Sequence, residues 1–275
     1  MKVCLHPQGD LISDKISGKG YWDDCLSVPR QYFANNESRS HGLHIEIGAN
    51  IGSCIFELLL SDSVVEILAF EPHPRNLFAL TSSLKNNPDL GRRVTVFPVA
   101  LGTVDDQKVT MGIEIPRTSN PIAVNMGTNF VLQDEHSSKT HPKVPRVEVP
   151  MERLDTILNE YFHFQIPSIR FMKVDAQGFE CNILNGSLPT IMPDRLIFEV
   201  EGSMLERAGC SKKGLLSRVG QYYELYRYRA SGALDKTGLD NDENINAVGV
   251  LRQAFPSAQE REMEKYSLGK FFNRY

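Results

Sequence analysis

Apolar and polar residues alternate through Leu43-His44-Ile45-Glu46-Ile47, and the run stops at Gly48. A period of two that ends on glycine predicts a β-strand. Ile51, Ile55, Leu58 and Leu59 then recur at helical spacing, so residues 51–60 read as a helix. Val65 to Phe70 is a second short apolar run, closed by Glu71-Pro72. Residues 75–85 carry Leu77, Phe78, Leu80 and Leu84 and predict a helix that stops near Asn86-Asn87-Pro88. Val94 to Leu101 reads as a third strand. This β-α-β-α-β rhythm predicts a parallel sheet covered by helices.

The rhythm breaks over residues 102–150, where Pro116, Pro121, Pro142, Pro145 and Pro150 accumulate. Strands are expected at 108–115 and 144–149, joined by a long loop; long ordered loops in such domains are often functional. The loop's Asn120, Asn125, Thr128 and Asn129 suit a polyhydroxylated ligand, and equally suit a polar surface. The alternation resumes with a helix at 152–160, a strand at 168–174, a helix at 178–185, a strand at 195–200 and a helix at 211–219. Residues 222–228 and 247–251 read as a final antiparallel pair. Residues 1–40 are mixed and polar, a lead-in expected to pack on the core. The tail has only a weak apolar stripe.

Composition sharpens this picture by exclusion. The 275 residues are 41% hydrophobic and 23% charged, with 30 Lys plus Arg against 34 Asp plus Glu, a formal net charge of −4. Such a chain is neither disordered nor collagen-like, and it gives no electrostatic reason to expect a nucleic-acid partner. Five cysteines at wide spacings, with no CxxC, form neither a disulfide framework nor a zinc pattern; reduced thiols in a cytoplasmic setting are the expectation. The first residues lack an apolar signal core, and no apolar run nears the ~20 residues that span a bilayer, so no membrane is expected. In that setting the N-x-S triplets at Asn36 and Asn185 read as chance.

Candidate chemistry concentrates at predicted strand ends. Glu46-Ile47-Gly48-Ala49-Asn50-Ile51-Gly52-Ser53 joins strand to helix, and its glycines permit a sharp turn and the close approach of a ligand. Glu71 stands 71 − 48 = 23 residues after Gly48, where nucleotide-binding α/β folds place a carboxylate that accepts ribose hydroxyls. That spacing fits a nicotinamide dinucleotide and S-adenosylmethionine alike, although the full G-x-G-x-x-G is absent. Further on, Phe171-Met172-Lys173-Val174-Asp175-Ala176-Gln177-Gly178-Phe179-Glu180 delivers Lys173 and Asp175 to one face of a strand end. Glu180, Glu199 and Glu201 are expected near the same crevice.

Taken together, EIGANIGS (46–53), FEPHPRN (70–76), VALG (99–102), RLDTIL (153–158), MKVDAQGFE (172–180), FEVEG (198–202) and NAVGVLR (246–252) resemble the FkbM-type S-adenosylmethionine-dependent methyltransferases. The resemblance implies a Rossmann-like, seven-stranded methyltransferase fold, mostly parallel with a reversed last hairpin. It spans a domain at 41–252 with an inserted substrate region at 102–150, and leaves a lead-in at 1–40 and a tail at 253–275. It implies S-adenosyl-L-methionine as cofactor and O-methylation of a sugar or other hydroxylated small molecule. Carried over, Glu46, Gly48, Asn50 and Gly52 would hold the methionine end, Glu71 the ribose, and Ala100 and Leu101 the adenine. Asp175 would sit beside the transferring methyl; from its chemistry it is the first candidate for base or orienting group, with Lys173, lowering an acceptor oxygen's pKa, as the alternative. Here the first motif begins with Glu46 where the family often has Asp.

Other readings stay open at this point. His136 and His141 in the loop are further candidate bases, His44 reads as structural, and His73 as an adenine neighbour or a solvent-exposed helix start. Asp175, Glu199 and Glu201 would make a magnesium site if they converged. A nicotinamide-dependent oxidoreductase and a non-catalytic cofactor-binding module are the alternatives. The expected partner is a small-molecule or glycan acceptor, and the lead-in and tail are candidate homodimer contacts.

Overall fold

Strand β1 (Leu43–Ile47) is buried along its whole length and lies between two parallel neighbours. In the computed structural model, which describes residues 1–6, 10–20, 25, 42–113, 129–132, 146–228, 234–239 and 245–252, it is the middle one of five parallel strands in the main sheet. Helix α1 (Leu11–Lys19) precedes β1, and helix α2 (Ser53–Ser61) follows it. Strand β2 (Glu66–Phe70), helices α3 (Pro74–Lys85) and α4 (Pro88–Gly91) and strand β3 (Val94–Phe97) complete the first half. Strands β4 (Ala100–Leu101), β5 (Gln107–Ile113), β6 (Asn129–Leu132) and β7 (Arg146–Glu152) follow. The second half runs through α5 (Leu154–Tyr161), β8 (Ile169–Val174), α6 (Glu180–Ser187), β9 (Arg195–Val200), α7 (Gly202–Arg207) and α8 (Lys212–Gly220). Strands β10 (Tyr223–Tyr228), β11 (Leu234–Asp235) and β12 (Ile245–Leu251) close it.

The main sheet has the order β11-β10-β12-β9-β8-β1-β2-β3. It thus contains eight described strands, not seven; the extra one is the two-residue β11. Strands β9, β8, β1, β2 and β3 are mutually parallel, while β12 runs antiparallel to both β9 and β10. Helices cover both faces, as parallel strands with apolar residues on both sides require. On one face Ile45, Ile47, Met172, Val174 and Phe198 join the largest apolar cluster. On the other, Ile67 and Ala69 pack with Ile55, Phe56, Leu59 and Leu80 of α2 and α3.

A second sheet, order β4-β7-β5-β6, accounts for part of the break in rhythm. The expected strand over 94–101 is split at Pro98: β3 stays in the main sheet and β4 pairs with β7. Proline lacks the N–H that a continuing ladder needs. Strand β6, α1, α4 and α7 were not predicted; the first lies where a loop was expected and the others are short or polar. The loop positions Asn120, Asn125, Thr128, His136 and His141, the tail at 253–275 and Asn36 lie outside the described residues.

The cysteine expectation is corrected. Cys25 is bonded to Cys54, and Cys181 to Cys210, with Cys4 left as the free thiol. Each pair is separated by 29 residues, so only the folded chain brings the sulfurs together. Among the described residues no helix is long and apolar enough to cross a membrane.

Helix α6 packs at Gly186 against the backbone that follows β4 of the second sheet. A Cβ there would lie 2.0 Å from the carbonyl oxygen of Gly102, which is backbone and cannot rotate away. Gly186→Ala gains about 1 kcal/mol of helix propensity but incurs up to about 3 kcal/mol of overpacking. A net loss of about 2 kcal/mol in unfolding free energy is expected by denaturant titration.

Candidate active site

The carboxyl ends of β1, β2, β8 and β9 surround a cavity of about 450 Å³. Its first wall is the turn from β1 into α2. Gly48 N and Ala49 N both donate to Phe70 O at 3.0 Å, and Gly52 N donates to Ala49 O at 2.9 Å. Gly48 (φ 80°) and Gly52 (φ 86°) adopt the left-handed conformation that glycine accepts without strain. A Cβ on Gly48 would lie 1.8 Å from Asp175 O, and one on Gly52 would lie 2.5 Å from Leu80 Cδ1. Both glycines therefore admit close protein neighbours, Asp175 O at Gly48 and the Leu80 side chain at Gly52. Gly48 and Asn50 line the cavity; Gly52 lies behind it.

Glu71 ends β2 and faces the same space. Its Oε2 accepts from Asn50 N at 2.7 Å and its Oε1 from His73 N at 2.8 Å. Burial pushes the carboxyl up to about 7, against the opposing pull of those hydrogen bonds and one from Asn76. An ionised carboxylate has about four lone-pair sites, so with these three bonds made about one acceptor site remains for a hydroxyl. Asn50 holds a left-handed φ of 51°, a strained choice for a residue with a side chain. It is tied down by its bond to Glu71.

The opposite wall is ionic. Glu46 and Lys173 are register partners across β1 and β8. Lys173 Nζ lies 3.3 Å from Glu46 Oε1 and 3.0 Å from Asp175 Oδ2. Burial opposes its charge, but the Asp175 and Glu46 carboxylates together hold its pKa above the ordinary lysine value. Burial likewise opposes the Glu46 carboxylate, yet Lys173 and the His44 hydrogen bond bring its pKa below the usual range. His44 Nε2 is 2.9 Å from Glu46 Oε2, and the ring stacks on Phe171, so its role is structural as expected.

Asp175, Gln177 and Glu199 form a linked group. Gln177 Nε2 donates to Asp175 Oδ1 and to Glu199 Oε2, each at 3.0 Å. Burial, then the nearby Asp175 and Glu180 charges, push Glu199 up to about 9, so at neutral pH it carries the proton. Burial works against ionised Asp175, but Lys173 and Gln177 bring its pKa below the usual range. Gln177, with φ 53°, was not singled out by the sequence reading. Its left-handed turn is the counterpart of Asn50 on the neighbouring strand.

The remaining expected residues separate. Ala100 and Leu101 are buried and line the cavity beside Val99. Glu180 turns away, accepting from Ala176 N at 2.8 Å and Gly178 N at 3.3 Å, and burial pushes it up to about 7. Glu201 Oε1 accepts from Ser203 Oγ. His73 is buried, not solvent-exposed, and lies outside the cavity lining; burial and then Arg75 and His6 push it down to about 4. The magnesium expectation is not supported. Glu201 is not part of the cavity lining, the Gln177 amide bridges Asp175 and Glu199, and among the described residues no three candidate ligands converge. Several lining residues were missed: Leu11, Ile12 and Lys15 of α1, and Met111 and Val131 of the second sheet. The Asp10-Leu11-Ile12 start was a readable helix cap, since Asp10 Oδ2 accepts from Ser13 N at 2.9 Å.

A glycine turn after the first strand and an acid closing the second, at one end of a parallel sheet, define the nucleotide-cofactor half of a Rossmann-like fold. The family model of the methyltransferase FkbM domain matches residues 46–230, and the chain belongs to that family. Among solved structures, the methyltransferase FkbM from Methylobacillus flagellatus KT is similar at 14% identity and a TM-score of 0.44, over 80% of this chain and 48% of that one. The chain thus spans about half of that relative's length. The precorrin-6y C5,15-methyltransferase from Geobacter metallireducens GS-15 is 10% identical with a TM-score of 0.40, over 81% of this chain and 87% of that one. The Methanococcus jannaschii fibrillarin pre-rRNA processing protein is 10% identical with a TM-score of 0.38, over 76% and 66%. Among proteins of curated function none matches.

Two predictions follow from the ionic wall. Lys173→Met leaves Glu46 buried without its cation and is expected to cost about 3 kcal/mol of stability. Adding Glu46→Gln should recover much of that loss in denaturant titrations. The second concerns pH. Glu199 titrates near 9 in the fold against 4.5 as its ordinary value. Between those values the folded state binds the extra proton, so stability falls as pH rises. Glu199→Gln should flatten that decline in melts from pH 5 to about 9.

Proposed function

We propose that the chain is an S-adenosylmethionine-dependent O-methyltransferase acting on a hydroxyl of a sugar or another hydroxylated small molecule. The observation that carries this reading is the meeting of Glu71, Ala100, Leu101 and Asp175 on one cavity in a chain of the FkbM methyltransferase family. When bound, the cofactor supplies a methyl group activated by its sulfonium, and the protein supplies binding, orientation and electrostatics.

The residues fit that division. Glu71 keeps about one acceptor site for a ribose hydroxyl beyond its bonds to Asn50, His73 and Asn76. Ala100 and Leu101 offer an apolar wall to adenine. Glu46, held ionised by Lys173, places negative charge near the cofactor's cationic groups. Asp175 is the ionised member of its pair, because Glu199 holds the proton. It takes the proton that the acceptor hydroxyl sheds as its oxygen forms the new bond, when that hydroxyl is far more acidic than a free alcohol. Lys173 orients Asp175 through a 3.0 Å contact and is itself engaged by two carboxylates, which favours a positioning role over direct activation of the acceptor.

Calorimetric titration of the wild type with S-adenosylhomocysteine is expected to show micromolar binding, and Glu71→Ala should weaken it at least about tenfold. NADH should not bind. Incubation with a labelled methyl donor and a panel of sugars and hydroxylated compounds then tests transfer. Binding of NADH in place of the methyl-donor pair would overturn the reading.

A further inference from the structure

Four of the five cysteines are paired in the folded chain, and the two pairs lie in different places. Cys25 of the lead-in is bonded to Cys54 in the first turn of α2. Cys181, in the first turn of α6, is bonded to Cys210, which directly precedes Ser211, the N-cap of α8. Neither pair has the Cys-x-x-Cys spacing of a redox catalyst. Bonds that tie separate elements across 29 residues are staples. Such staples form and persist in oxidising compartments, whereas the cytosol keeps thiols reduced. With reduced thiols set aside, the ground for treating the N-x-S triplets as chance goes too.

One of those triplets lies among the described residues. Asn185-Gly186-Ser187 is the end of α6, and its middle residue is not the proline that would block it as a glycan acceptor. Asn185 is exposed, on a helix whose Cys181, Ile183, Leu184, Gly186 and Ser187 are buried. It lies outside the cavity lining. A glycan on its amide would therefore project from the outer face of α6 and displace no core residue. Ser187 is placed differently. It is buried, and its Oγ donates to Ile183 O. The hydroxyl that marks the acceptor is hidden once α6 has formed, so transfer has to precede the folding of that helix.

We propose that Asn185 carries an N-linked glycan, attached in an oxidising secretory compartment before the chain folds. Asn185 Nδ2 bonds to the anomeric carbon of an oligosaccharide carried on a lipid pyrophosphate. The bond from that carbon to the pyrophosphate breaks, the lipid pyrophosphate leaves with the electron pair, and the amide loses one proton. Each cysteine pair gives two electrons and two protons to the disulfide of a thiol oxidoreductase, which becomes a dithiol. A secretory setting takes the place of the cytoplasmic expectation and is independent of the methyl-donor reading.

The test uses the full chain isolated from the cells that naturally make it, with free thiols alkylated before digestion. Trypsin places Cys181 and Asn185 in one peptide, 174–195, and Cys210 in another, 208–212. Mass spectrometry without reduction is expected to find the two peptides joined. Peptide N-glycosidase in heavy-oxygen water is expected to remove one glycan from the larger peptide and convert Asn185 to a labelled aspartate. An unmodified Asn185, with or without sugar at Asn36, would overturn the proposal. Recovery of Cys181 and Cys210 as alkylated thiols would also overturn it, because the compartment inferred from their pairing would then be wrong. Either result would leave the methyl-donor reading standing.

Discussion

A single ammonium group, Lys173 Nζ, joins β1 to β8 at the end of the sheet where the cavity lies. Its two carboxylate partners stand on different elements: Glu46 opposite it in register, and Asp175 just past the end of its own strand. An unpaired buried charge is costly, so each of the three groups is tolerable only with the others present. The arrangement fixes the ionisation states around it. With Asp175 held as the carboxylate, the nearby Glu199 keeps its proton, and the Gln177 amide bridges the two. Like charges brought this close divide into one ionised and one neutral partner.

The glycine turn depends on the same seam. Gly48 lies against the Asp175 carbonyl, so the turn that opens α2 and the turn that follows β8 are in direct backbone contact. Asn50 and Gln177 repeat the theme. Each is a non-glycine residue with positive φ at a strand end, and each is held by bonds to acids at the cavity. Strain of this kind persists where the surroundings over-determine it, and here it aims polar groups into one space.

Much of this was legible in the sequence, for reasons that can be named. Strands β1, β2, β8 and β9 are short apolar runs that end in glycine or acid, and Glu46, Gly48, Glu71 and Asp175 mark those ends. What was missed lacked such a period. Helix α1 has only Ile12 and Ser13 buried, so its sequence reads as polar lead-in. Strand β6 is four residues long within a proline-rich stretch. Gln177 draws its importance from Asp175 and Glu199, and its distance to Glu199 in sequence hides that link. The cysteine pairs and the fate of Glu180 and Glu201 are likewise properties of the folded chain, because spacing carries no record of which way a side chain turns.

The two neighbours of β1 differ in how far along the chain they lie. Leu43 is aligned with Glu66 on one side, 66 − 43 = 23 residues away, and with Ile169 on the other, 169 − 43 = 126 residues away. Local pairs close small loops and form readily, whereas distant pairs must first meet the entropy of a long intervening chain. The cavity lies at the β1–β8 seam, the non-local half of this contact. The nucleotide-side turn, by contrast, belongs to a compact β-α-β unit of nearby residues. Assembly of the chain thus divides the cavity in time: Glu71 is positioned by local structure, and Asp175 joins it only when the two halves of the sheet have met.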